Sequence, residues 1–496
     1  MVRRSTVPRL HLRLVMPHPT ATSVGARCVA SFGSRFGSPF VSCSRVMATL
    51  AIAALSAGCD GKAKGASATA TATGESAAPA TGAAPARDSL AEWRAKFGNR
   101  VPRPDSVRAL YVNAWAAGSR TRMAELIRIA DETEVNAFIV DIKESDTFLA
   151  YDSTAIPLVK EIGGDTRPAT KWMPALVDTL QAHGIYSIAR IVVFKDRMLA
   201  EKKPELAIRN TSGGVWRDGK GQPWVNPYDS RVWDYNIAIA REALDMGYSE
   251  LQWDYVRFPD VSERMRSTMS YPKAEGKSRA DNIKAFLEYT KKELASYQVP
   301  LAADVFGLVT HLEDDVGIGQ NWEKVITSAD VVLPMVYPSH YYAGLYGMSR
   351  PHASPYQTVR LALTDAAERT TFLRDSAKVK TGEVMPWLEA MSIRGLTYGP
   401  TELRLQIQAT YDAGLKSWAL WNPGSKYAEY LDALRPQSGG KSPVESRGFT
   451  VPQYTLPRGQ LSKMIQLRDR AARTADSTAK AGPSAAPAPM DTGARR

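Results

Sequence analysis

Between residues 101 and 436 of this 496-residue chain, eight short apolar runs recur, most of them followed by a stretch with helical spacing. The runs are Arg108–Ala114, Val135–Lys143, Ile185–Phe194, Glu250–Pro259, Pro300–Phe306, Asp330–Tyr337, Glu383–Glu389 and Leu415–Asn422. Met123, Leu126, Ile127 and Ala130 fall at i, i+3, i+4 and i+7, and Trp172–Ala182, 231–246, Ile283–Leu294, 356–368 and Glu402–Asp412 also read as helices. Strand and helix alternating over about 330 residues is the rhythm of a parallel sheet closed on itself, the (β/α)8 TIM barrel. A doubly wound open sheet is the alternative. Against it, Asn113-Ala114-Trp115 follows the first run where a glycine-rich phosphate turn would stand.

Composition separates the ends from this body. Residues 1–58 carry seven arginines and no acid, and residues 437–496 carry ten basic against four acidic residues. The formal charge of +12 therefore lies outside the body, which is left at −1. A nearly neutral body argues against nucleic-acid binding. Cys28, Cys43 and Cys59 all precede it, so it can hold no disulfide, thiolate zinc site or cysteine nucleophile. The six histidines include no helical pair at ligand spacing, and neither metal nor cofactor is expected.

Arg45, the apolar run Val46–Leu55 and the small residues Ser56-Ala57-Gly58 describe a secretory signal too short to span a membrane. Ala57-Gly58-Cys59 resembles a bacterial lipoprotein box, in which the cysteine is acylated, although Leu55 stands four residues before Cys59 rather than three. A plain signal with a fortuitous cysteine is the alternative. The expected organisation is a leader at 1–58, a lipid anchor and flexible linker at 59–100, the barrel at 101–436, and a basic, Ala/Pro-rich disordered tail at 437–496. The protein would be an exported monomer held at the envelope membrane through Cys59.

Four acids stand at or near the C-terminal ends of the expected strands: Asp141, Asp254, Asp304 and Glu389. In a TIM barrel that end carries the chemistry. Strand alternation puts Asp254 and Gln252 on one face and Leu251, Trp253 and Tyr255 on the other, so the carboxylate faces inward while the apolar groups pack on helices. Arg190 is inward by the same rule. Splitting a glycosidic bond needs two carboxyl groups, and neighbouring strands would hold Asp254 and Asp304 roughly 5–9 Å apart, spanning retaining and inverting separations. Crowded acids also raise the pKa of one of them, which suits it to proton donation. Each acid taken singly has a structural reading, as partner to Lys143 or Arg190. Aromatic groups near strand ends and in the 196–228 excursion, among them Trp224, Tyr337 and Trp421, are candidate sugar platforms, with His340 beside them.

Seven blocks carry a resemblance: Tyr111–Trp115, Val140–Lys143, Ile188–Lys195, Trp224–Tyr228, Gln252–Pro259, Ala303–Gly307 and Val332–Pro338. Together they are similar to a bacterial glycoside hydrolase family first catalogued as a domain of unknown function and distantly similar to α-amylase-type barrels. The resemblance implies a TIM barrel acting on polysaccharide, with Asp254 as nucleophile, Asp304 as proton donor and Glu389 as supporting acid. Asp141, Lys143, Arg190, Arg257, Trp224, Tyr337, His340, Trp421 and Asn422 are the candidate substrate-binding residues. Two departures stand out: such enzymes usually carry Glu on strand five, and an Arg two residues before the nucleophile, where this chain has Gln252. The alternatives to a glycosidase are a non-catalytic carbohydrate-binding lipoprotein and a metal-assisted lyase or aldolase that uses Asp141, Asp254 and Glu389 as oxygen ligands.

Overall fold

The computed structural model describes residues 98–435, apart from 147 and 394. The expected leader, the anchoring Cys59, most of the linker and the basic tail lie outside the described residues. Eight parallel strands form the body: β1 (Arg108–Val112), β2 (Ala137–Lys143), β3 (Tyr186–Val192), β4 (Glu250–Asp254), β5 (Leu301–Phe306), β6 (Val331–Met335), β7 (Trp387–Glu389) and β8 (Trp418–Trp421). Each pairs with the next, and β8 pairs with β1, with Arg108 opposite Trp418. The sheet is therefore a closed (β/α)8 barrel, and the open-sheet alternative is excluded. A helix follows every strand: α1 (Arg120–Glu132), α2 (Met173–Ala182), α3 (Ser230–Asp245), α4 (Arg279–Glu293), α5 (Trp322–Ile326), α6 (Pro355–Thr371), α7 (Pro400–Asp412) and α8 (Leu431–Leu434). The short α5 and α8 have no counterpart in the sequence reading, since one turn of helix leaves no periodicity to detect.

Local chemistry sets the helix boundaries. The side chains of Ser119, Asp229, Ser278 and Asn321 cap the N-termini of α1, α3, α4 and α5 by accepting backbone N–H groups there. At the far ends of α2 and α3, Gly184 and Gly247 take φ of 66° and 101°, the left-handed geometry that glycine adopts without a Cβ penalty.

Two apolar layers follow from alternation. Leu110, Phe138, Ala189, Leu251, Ala303 and Leu420 face the helices, whereas Ala109, Ile139, Ile188, Ala302, Leu333 and Ala419 fill the barrel. Two irregularities interrupt the pattern. The Glu383–Glu389 run is split: Glu383–Val384 pairs with β6 and Trp387–Glu389 with β8, and between them Pro386 has no N–H to give a ladder. In β2 the register slips between Asp141, which pairs with Arg190, and Lys143, which pairs with Ile191. That bulge carries Lys143 out of phase with Asp141. Its ammonium binds Asp196 at 2.7 Å and lies over the Tyr235 ring of α3, fully buried in the helix layer. Lys143, expected as a substrate contact, is spent on this buried ion pair; burial depresses its pKa, and Asp196 opposes that.

The 196–228 excursion folds against the segment after β4 through an antiparallel pairing of Arg209–Asn210 with Met269–Ser270. It buries Trp216 and Trp224.

Candidate active site

At the C-terminal end of the strands a cavity of about 500 Å³ opens, lined by Asp254, Asp304, Arg190, Arg257, Tyr337, His340, Trp387 and Trp421 among others. Arg190 organises its floor. The guanidinium reaches Asp254 Oδ2 through Nε at 3.1 Å and also through Nη2, and its Nη1 donates to Asp141 Oδ1. Arg190 pairs in register with Gln252. A guanidinium from the adjacent strand thus lies against Asp254. Tyr111 holds the other Asp141 oxygen through its hydroxyl and packs against Trp421 with ring centres 4.2 Å apart. Burial raises the Asp141 pKa, and the Arg190 charge opposes that rise. Asp141 stands behind Arg190 rather than on the cavity wall.

Asp254 and Asp304 sit in opposite settings. Asp254 has a guanidinium against it, and its Oδ1 accepts the Tyr255 backbone N–H at 2.5 Å. Tyr255 adopts φ of 49°, a left-handed conformation costly for an aromatic residue, and the strand ends there. Asp304 Oδ1 receives only neutral donors, the Gln252 amide at 2.5 Å and the Trp387 indole at 2.9 Å. Burial, and then the nearby Asp254 charge, push the Asp304 pKa well above the usual carboxylate range. Asp254 therefore lies against a cation, whereas Asp304, among neutral donors, is disposed to hold its proton.

Other expected site residues lie elsewhere. Glu389 is fully buried, with Oε1 accepting the Ser339 hydroxyl at 2.6 Å and Oε2 the Ser339 N–H at 3.2 Å, and it is not on the cavity wall. Asn422 spends its amide on Ala390 and Lys426 carbonyls and its oxygen on the Gly424 and Lys426 N–H groups, which makes it a loop brace. Trp224 donates to Asp218 and stacks near Arg257 behind the lining. His340 meets the Tyr337 ring edge-on at 5.1 Å on the wall.

Sequence reasoning missed Tyr111, Glu144 and Phe306. Tyr111 was detectable as an inward position two after Ala109. Glu144 follows the β2 bulge, and burial together with Asp141 raises its pKa to about 7. Among the described residues no three His, Cys, Asp or Glu side chains are grouped to hold a metal ion.

Residues 109–427 match the profile of a family described as "Putative glycosyl hydrolase domain". No curated protein matches the chain. Among solved structures, a hypothetical protein from Ruminiclostridium thermocellum is 38% identical over 40% of this chain and 97% of its own, with a TM-score of 0.36. The PgaB (BpsB) glycoside hydrolase domain from Bordetella bronchiseptica is 14% identical over 67% of this chain and 100% of its own, with a TM-score of 0.48. An α-galactosidase from Thermus thermophilus in complex with stachyose is 16% identical over 68% of this chain and 67% of its own, with a TM-score of 0.40.

Proposed function

The chain belongs to this glycosyl hydrolase family, and we propose that it is an O-glycosidase that cleaves an oligo- or polysaccharide with Asp304 as proton donor and Asp254 as nucleophile. What supports the assignment is the contrast between the two acids on one cavity wall. A buried carboxyl that keeps its proton can protonate the glycosidic oxygen as the bond breaks. The carboxylate beside Arg190 meets the positive charge developing at the anomeric carbon and attacks it; water then releases the sugar with Asp304 as base. Arg190 aligns that carboxylate, and Tyr111 and Asp141 align Arg190. Trp421, Tyr337 and Trp387 offer ring faces and edges to the sugar.

A reducing-end screen over envelope and plant polysaccharides, run with the native protein and with Asp254→Asn and Asp304→Asn, tests this. Loss of turnover in both variants is expected. Full turnover in both would remove these acids from the mechanism; binding to glycans without any bond cleavage would favour the carbohydrate-binding lipoprotein. Export and lipidation at Cys59 belong to the same proposal. Labelled fatty acid should appear in the native protein and not in Cys59→Ala.

A further inference from the structure

Arg190, Arg257 and Arg369 are the buried arginines among the described residues. Arg190 binds two carboxylates, and Arg369 binds Glu323 through two bonds of 2.7 Å. Among the described residues Arg257 has no carboxylate in ion-pair contact. Its hydrogen bond among the described residues runs from Nη1 to the adjacent Phe258 carbonyl at 3.0 Å. Ring faces pack around it: the guanidinium carbon lies 5.1 Å from the Trp224 ring centre, 4.8 Å from Tyr255 and 4.7 Å from Phe306. Yet Arg257 is only 9% exposed, and what remains open faces the cavity.

Burying a guanidinium without a partner is costly, which is why buried charges are normally paired. A second cation makes the cost worse: Lys195 stands with its Nζ 5.0 Å from the Tyr255 ring and 6.0 Å from Trp224. Burial and the Arg257 charge both lower the Lys195 pKa. The acids nearby do not cancel this pair. Asp254 is bound by Arg190, Asp218 accepts the Trp224 indole and two backbone N–H groups, and Asp260 is exposed at the rim. A guanidinium packed among rings keeps the N–H donors that its bond to Phe258 does not use, in the fork that fits a carboxylate or a phosphate-like oxyanion.

We propose that Arg257, flanked by Lys195, is a recognition site for an anionic substituent of the glycan, so that the substrate class is an acidic polysaccharide. This rests on the glycosidase reading only for what becomes of the bound sugar. The shared chemistry is an oxyanion, either a uronic acid carboxylate or a sulfate or phosphate ester.

The test is calorimetric titration of the wild-type full chain, Arg257→Gln and Lys195→Gln with four probes. These are oligogalacturonate, the same oligomer with its carboxyls reduced, a chondroitin sulfate oligomer and a glycerol-phosphate-substituted glycan. The wild type is expected to bind at least one anionic probe about tenfold or more tighter than the neutral oligomer, with the preference shrinking as salt rises. Arg257→Gln should weaken that probe about 10–100-fold and Lys195→Gln less, each narrowing the gap between the anionic and the neutral oligomer. Which anionic probe responds identifies the oxyanion. Equal affinity for the acidic and reduced oligomers with no sulfate or phosphate preference, or no anionic binding at all, overturns the proposal; neither result depends on the variants folding. Binding of an acidic oligomer that releases no reducing ends would sink the glycosidase reading alone. Cleavage of neutral glycans without acid preference would sink this one alone.

Discussion

The barrel holds two arginine-centred carboxylate clusters, one at each end, and they differ in what closes over them. At the N-terminal end Arg103, from the segment before β1, binds Glu250 at 3.0 Å and Glu383 at 2.7 Å; Tyr186 and Ser417 complete the set at 2.8 and 2.5 Å. At the C-terminal end Arg190 binds Asp141 and Asp254, and Tyr111 completes it. The composition is nearly the same. The lower cluster is capped by the incoming chain, so its charges only hold the base of the barrel together. The upper one opens onto a cavity and has a third acid, Asp304, which among the described residues is in ion pairing with no cation. An ion network becomes a candidate for catalysis when it is left one proton and one open face short of being sealed.

The strongest way to break this comparison is to exchange charge for amide at both ends. Asp254→Asn and Asp304→Asn should lower kcat by about a thousandfold or more with little change in thermal melting. Glu250→Gln should do the reverse, costing about 3 kcal/mol in chemical denaturation because Arg103 keeps its burial and loses a partner, with kcat per folded molecule nearly unchanged. If Glu250→Gln abolished turnover in soluble, folded protein, the division of labour would be false.

Replacing the whole lower network, Arg103→Met with Glu250→Leu and Glu383→Leu, should be neutral or stabilise by about 1–3 kcal/mol. A loss of several kcal/mol would show that the base depends on its charges after all.

The pH response sharpens the contrast. The folded-state pKa of Asp304 is raised, so the stability it contributes is full below the ordinary carboxylate pKa and is lost as pH rises through the folded value. Activity should fall over the same rise as the donor proton leaves. Asp304→Asn should remove the corresponding slope in a melting series across pH; an unchanged slope would mean that another group carries it.

Smaller effects probe the supports. Tyr111→Phe removes the hydroxyl from Asp141 and should cost about 1 kcal/mol and several-fold in kcat, leaving KM near its original value. Glu144→Gln should do least, flattening any inflection near pH 7 in the rate profile; persistence of that inflection would assign it elsewhere.

The eight strands, their inward face and the acids at the strand ends were legible in the chain itself. Alternation is a local rule: Ile188 faces the barrel interior because Ala189 faces the helices, and Asp254 and Asp304 follow from the same count. The rule failed where a partner elsewhere decided the matter. A register slip against β3 turned Lys143 toward Asp196, and Ser339, fifty residues earlier in the chain, claimed Glu389. Asn422 went to its own loop, and the guanidinium against Asp254 came from the neighbouring strand as Arg190.

The sequence by itself therefore determined a closed α/β barrel with its carboxylates at one rim, because side-chain period and turn chemistry depend on residues a few positions apart. Only the tertiary structure decided which acid lies beside a cation, which is buried among neutral donors, and which arginine is left facing the cavity. Those properties depend on what packs around a group, and the neighbours that set them are up to 83 positions distant, as Trp387 is from Asp304.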